Sequence, residues 1–301
     1  MIGKKTYYLL LLLLVTFFWG LTFPMIKYSL SYLSPDLFLL FRFAVSAIFL
    51  FPLVYFRGAK LLRGKVLRYG FIAGLLLFLG YYFQTVGLFY TTPAKSGIIT
   101  GLYVVLLPIV SLSYLKTKVS GIDIASSVTA FTGIVIMSLG SLGTASVQLG
   151  DILTVFCAVA YAYQVAYVSK HSSEVDSVSF TFVQIIVVTL FSAILLPLPF
   201  FGALRITVTW FVVFTVVFTA VFAGIFAFYI SNRALIYVEP TAAGVIFVGE
   251  PVFAAISSVI FTGEKIGLYI LTGGTLMVLA MLATTLKRYL DERESKTHGE
   301  R

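Results

Sequence analysis

Charge is the scarcest commodity in this sequence. Only 11% of its 301 residues are Asp, Glu, Lys or Arg, while 60% are hydrophobic. Mean hydropathy is +1.04. A soluble domain of this length cannot hide so much apolar surface, so the chain is read as an all-α integral membrane protein. Cysteine is nearly absent too. Cys157 stands alone, which excludes an intrachain disulfide, and two histidines, His171 and His298, are too few for a His-rich metal centre. No Gly-x-x-x-x-Gly-Lys-Ser/Thr loop occurs, so nothing marks a nucleotide site. Neither cofactor nor metal is expected. Long linkers, low-complexity stretches and a soluble domain are missing as well.

What is present is a series of apolar runs. Ten helical spans are predicted, near residues 7–30, 36–56, 69–90, 93–115, 122–140, 150–169, 177–198, 208–230, 239–262 and 266–286. The first, following Lys4-Lys5, imitates a signal peptide. It runs past Trp19 without a small-residue cleavage site and is read as an uncleaved span. The net charge of +9 sits between the runs and reads as topology rather than as a nucleic-acid surface. Of 21 Lys and Arg, sixteen fall on the side shared by both termini and four (Lys27, Lys95, Arg205 and Lys265) on the other. Both termini are therefore expected to be cytoplasmic, in a plasma or inner membrane.

The sequence also repeats itself. A shift of 147 brings Tyr90 onto Tyr237, Pro93 onto Pro240, Gly97 onto Gly244, and Tyr103 onto Glu250. A shift of 142 brings Trp19-Gly20 onto Tyr161-Ala162, and Arg42 onto Gln184. Two units are predicted, residues 1–141 and 142–287, followed by a charged cytoplasmic tail, 288–301. Five spans per unit is an odd number, so the halves must cross the membrane in opposite senses. That is the inverted-repeat design in which a site near the midplane is exposed to each side in turn.

Several of these segments resemble the EamA-type members of the drug/metabolite transporter superfamily. They are Trp19-Gly20-Leu-Thr-Phe23, Phe41-Arg42-Phe43, the run Thr92 to Pro108, and Glu250-Pro-Val-Phe-Ala-Ala255 with Gly263-Glu264. The resemblance spans nearly the whole chain. It implies a ten-helix carrier with a central cavity that moves small metabolites such as amino acids or drug-like solutes, often outward, without ATP. One departure stands out: Gly263-Glu264 has no counterpart after the fourth span, where Lys116-Thr-Lys118 occurs. The expected partners are a small-molecule substrate and the lipid bilayer, with no nucleic acid, and the chain acting as monomer or homodimer. A membrane-embedded enzyme and a passive channel are the alternative classes. Scattered acids and two isolated histidines offer an enzyme no nucleophile–base pair.

Glu250, half-way along the ninth span, is the sharpest candidate. An intramembrane carboxylate is costly unless it has a task or a partner. It suits binding a cationic group, or carrying the proton of a coupled carrier; the structural alternative is a packing acid bonded to a neighbouring helix. Arg42 suits a partner for Glu250 or for an anionic substrate group, against snorkelling to the interface. Lys95 reads as an interfacial snorkel or an attractor of anions. One face of the first span carries Thr16, Trp19 and Phe23. Equivalent faces carry Thr154, Tyr161 and Gln164 on the sixth, and Ser96, Thr100 and Tyr103 on the fourth. Gln84 adds an amide to the third. The predicted cavity comprises Trp19, Arg42, Gln84, Thr100, Tyr103, Tyr161, Gln164 and Glu250. Pro93, Pro108, Pro240 and Pro251 are the candidate hinges. The pairs Gly70/Gly74 and Gly97/Gly101 predict close helix approach.

Overall fold

The computed structural model describes residues 4–57, 64–115, 121–139, 148–196, 204–238, 243 and 246–299. Helices account for nearly all of them. In order they are α1 (Lys4–Ser29), α2 (Pro35–Arg57), α3 (Lys65–Tyr90), α4 (Pro93–Thr100), α5 (Leu102–Leu115) and α6 (Gly121–Leu139), then α7 (Leu149–His171), α8 (Ser177–Leu195), α9 (Trp210–Ala220), α10 (Ala227–Ala234), α11 (Gly249–Thr262) and α12 (Leu268–Gly299). A π-helical turn, Val221–Phe226, joins α9 to α10. Among the described residues, six segments are long and apolar enough to cross a bilayer: Tyr7–Ser29, Pro35–Phe56, Lys65–Tyr90, Leu149–Glu174, Ser177–Leu195 and Trp210–Ala234. Shorter apolar stretches cover Pro93–Leu107, Gly249–Thr262 and Leu268–Ala283.

The helix pairs come in counterparts. Helix α3 packs on α7, and α1 packs on α9 and α10; α3 packs on α8, and α2 on α9; α5 packs on α7, and α1 on α11. Three pairs, α2 with α8, α4 with α11 and α6 with α12, each join one helix from either half. Three helices converge on Ala254. A Cβ added at Gly97 would lie 2.3 Å from the Ala254 Cβ, and one at Gly20 would lie 2.8 Å from the Ala254 nitrogen. Neither neighbour is the free end of a flexible side chain, so only glycine permits this approach. Gly97→Val is expected to cost about 1–3 kcal/mol through overpacking. Thermal unfolding in detergent checks this; an unchanged midpoint rejects the packing account.

Two spans expected to be continuous helices are broken. The fourth divides at Gly101 (φ −55°, ψ −16°) into α4 and α5. In the ninth span, Val248 (φ −58°, ψ −21°) stands as a turn immediately before α11. Both sets of angles are those of a 3₁₀ turn. The shift of 147 that aligns Tyr103 with Glu250 also aligns Gly101 with Val248. No proline stands at the Gly101 break, whereas Pro251, three residues after Val248, lacks the N–H that would bond the Phe247 carbonyl across the turn. Pro93 is the first residue of α4, where a missing N–H costs nothing, and the Thr92 side chain caps that end. Pro108 lies within the unbroken α5. Pro251 sits in the first turn of α11, and Pro240 falls outside the described residues.

Candidate functional site

Glu250 occupies the first turn of α11. The predicted position half-way along one continuous helix is thus corrected to a place just after a break, where the positive end of the helix dipole faces a carboxylate. Glu250 is 5% exposed. The Tyr103 hydroxyl, second residue after the Gly101 break, donates to its Oε2 at 3.5 Å, the outer limit of a hydrogen bond. The two positions that the repeat superposes therefore meet in space.

Around them lies a cavity. Trp19, Gln84, Tyr103, Tyr161, Gln164 and Glu250, six of the eight predicted cavity residues, line it, and so does Phe23. The Tyr161 hydroxyl donates to Gln84 Oε1 at 3.3 Å, and Gln84 Nε2 donates to Thr100 Oγ1 at 3.3 Å. Thr100 thus supports the wall without forming it. Gln164 Nε2 donates to Gln184 Oε1 at 3.2 Å. Thr16 and Thr154 bond backward to the carbonyls of Leu13 and Gly150 instead of facing the cavity.

Sequence reasoning missed Thr22, Phe228, Ser231, Asn232 and Phe247, which also line the cavity. Thr22 follows Trp19 by three positions and Phe247 precedes Glu250 by three, so helical spacing from the named candidates held a signal for both. Val168, Ser231 and Leu235 extend the cavity toward the end of the bundle where α1 begins. Ser231 and Asn232, adjacent polar residues on α10, are drawn in by the packing of α10 on α1 and α8.

Arg42 is not part of the lining. It is 1% exposed, with its guanidinium 4.5 Å from the centre of the Tyr81 ring and 5.3 Å from that of Phe43. Its Nη2 donates to the Tyr81 hydroxyl at 3.2 Å and to the Ala223 carbonyl at 3.5 Å. Tyr81 lines the cavity and so separates Arg42 from it. This is neither the expected bridge to Glu250 nor a snorkel. Packing of α2 against the α9–α10 segment, with its π-turn at Val221–Phe226, brings the Ala223 carbonyl within reach of Arg42. Ala223 O accepts from Trp19 Nε1 at 3.1 Å as well as from Arg42, and Ala220 O accepts from Ser46 Oγ at 3.0 Å. Those bonds tie α1 and α2 to the α9–α10 segment.

Lys95 also departs from expectation. It is 3% exposed, and its Nζ lies 2.7 Å from Asp151 Oδ2. Thr91 Oγ1 donates to Asp151 Oδ1 at 2.6 Å. Snorkelling is excluded by burial, because Asp151, read from sequence as a scattered span-end acid, stands opposite on α7. Nearby, Lys27 Nζ donates to the Leu88 and Phe89 carbonyls at the end of α3, each at 2.9 Å. Glu264 Oε2 accepts from the Ala94 N–H at 3.2 Å, in the first turn of α4. A short antiparallel bridge, Leu33 to Ile206, lies in the same region. The end of the bundle away from the start of α1 is thereby drawn shut by contacts that join distant parts of the chain. At the opposite end the polar contacts are more exposed: Lys65 to Glu174 at 2.6 Å, and the Tyr114 hydroxyl to His171 Nε2 at 3.0 Å.

With this geometry in hand, comparison with known proteins is informative. The family model described as the EamA-like transporter family matches twice, over residues 6–139 and 148–286. An uncharacterized transporter of Archaeoglobus fulgidus is 33% identical over 284 residues, covering 94% of this chain and 87% of that protein. The uncharacterized transporter YvbV of Bacillus subtilis is 27% identical over 188 residues, 62% of each chain. A solved structure, titled only as the crystal structure of a protein, superposes with a TM-score of 0.68 at 18% identity. It covers 94% of this chain and 98% of its own, which speaks to the fold alone.

Proposed function

Because the chain belongs to the EamA-like transporter family and is therefore a multi-pass membrane transporter, we propose that it is a secondary carrier exporting a small metabolite by alternating access. Residues 1–141 and 142–287 form two inverted repeats of five spans each, ten in all, with both termini in the cytoplasm of a cell whose plasma or inner membrane holds the protein. The cavity bounded by Tyr103 and Glu250 is the binding site, and Glu250 is the group that exchanges a proton with the substrate.

The observation that carries this reading is the matched pair of helix breaks. Gly101 and Val248 occupy repeat-equivalent positions, share 3₁₀ dihedral angles, and set Tyr103 and Glu250 against each other. Discontinuous helices meeting at a repeat interface are how membrane carriers place polar groups at mid-depth. The volume of the cavity is only about 50 Å³. A metabolite therefore needs the halves to part around it, as rocking provides. With the Lys95–Asp151 end closed, the cavity reaches the end where α1 begins, the cytoplasmic side in this topology.

Proteoliposomes provide the test. Saturable counterflow of a small solute is expected; non-saturable flux marks a passive channel and product formation an enzyme. Labels placed at residues 141–147 and at 172–176 should report opposite compartments. If both report the same one, the inverted arrangement is rejected.

A further inference from the structure

Six aromatic side chains close into a ring around the cavity, each from a different membrane segment. Between ring centres, Trp19 lies 5.9 Å from Phe247 and Phe247 lies 6.1 Å from Tyr103. Tyr103 lies 6.2 Å from Tyr161, and Tyr161 lies 5.6 Å from Tyr81. The circuit is completed by Tyr81 to Phe228 at 5.9 Å and Phe228 to Trp19 at 6.0 Å. All six rings line the cavity, and among the described residues that line it Glu250 is the one Asp, Glu, Lys or Arg.

We propose that the substrate is an organic cation, an amine or quaternary ammonium ion held within this belt with Glu250 as its counter-charge. The proposal rests on the carrier reading above and narrows it to one chemical class. Aromatic faces carry negative electrostatic potential, and a desolvated cation among them is attracted without any hydrogen-bond geometry. The remaining polar groups of the wall, Thr22, Gln84, Gln164, Ser231 and Asn232, are uncharged, so Glu250 alone sets the sign. An anion here meets a carboxylate, which repels it, and no lining cation to hold it among the described residues. The nearest buried cation does not reverse this, because Arg42 lies behind Tyr81 with its charge on that ring. A zwitterion could reach Arg42 only by displacing Tyr81 and breaking its 3.2 Å bond.

Three probes of one size separate the possibilities: benzyltrimethylammonium, 2-phenylethanol and phenylacetate. Thermal unfolding of the purified protein should show binding of the cation about tenfold or more tighter than of either other probe. Phe247→Leu should narrow that margin, and Glu250→Gln, if it folds, should remove it. Equal stabilisation by all three, or preference for phenylacetate, overturns the proposal. Counterflow with pools of amines, neutral solutes and organic anions separates this failure from failure of the carrier reading. Saturable exchange confined to anions or neutral solutes sinks the cation and leaves the carrier. Absence of saturable exchange in every pool, from folded and inserted protein, sinks both.

Discussion

Asp151→Asn is expected to be among the most damaging single substitutions in this protein, costing about 3–5 kcal/mol of stability. Asp151 is 2% exposed and faces Lys95 at 2.7 Å. Taking away the carboxylate removes the charge that faces a buried ammonium. The helix dipoles make the two partners unequal. Each is the third residue of its helix, α7 for Asp151 and α4 for Lys95, and the N-terminal end of a helix favours an anion and disfavours a cation. Lys95→Met leaves Asp151 with the Thr91 hydroxyl and a favourable dipole. It is therefore expected to cost less than Asp151→Asn. The double variant Lys95→Met/Asp151→Leu should recover much of the loss, since well-packed apolar residues often replace a buried ion pair at little cost. A double-mutant cycle on unfolding midpoints in detergent decides the matter; additive single effects mean that the pair does not act as a unit.

Glu250→Gln is expected to lower transport by about 10- to 100-fold while leaving insertion and folding intact. That range corresponds to the loss of one charge-assisted interaction. The amide keeps the shape of the side chain and the room for the Tyr103 contact, but neither carries a charge nor exchanges a proton. If Glu250 couples flux to protons, the residual activity of the variant should no longer respond to an imposed pH gradient. Tyr103→Phe gives the contrast. Its hydroxyl reaches Glu250 only at 3.5 Å, so its removal should reduce transport by less than about fivefold. Normal flux through Glu250→Gln across a pH series makes the residue structural and refutes both roles.

The closed end and the reaching cavity belong to one conformation. In the export cycle we propose, the Lys95–Asp151 contact parts in each turn, together with the Glu264 bond to α4. Glu264 serves the start of α4 in the first half, and Lys116-Thr-Lys118 falls outside the described residues.

The sequence by itself determined the class of protein and the alignment of Tyr103 with Glu250, and its ten predicted spans include the six segments that prove long and apolar enough to cross a bilayer. Each is a property of order along the chain: runs of apolar residues, their length against a bilayer, and a repeat that survives as a constant shift. The same periodicity placed Trp19, Gln84, Tyr161 and Gln164 on inward faces, because a helix face follows from spacing alone. Which residue stands opposite that face does not. Lys95 finds Asp151 56 residues away, and Arg42 finds Tyr81 and the Ala223 carbonyl only after α2 has packed on α3 and the π-turn. The tertiary structure alone decided that Arg42 lies behind the cavity, that Lys95 is buried, and that six rings from six segments form a circuit. Buried charges and exposed backbone carbonyls take whatever partner packing brings within reach, and reach is set by how helices cross, not by their order in the chain.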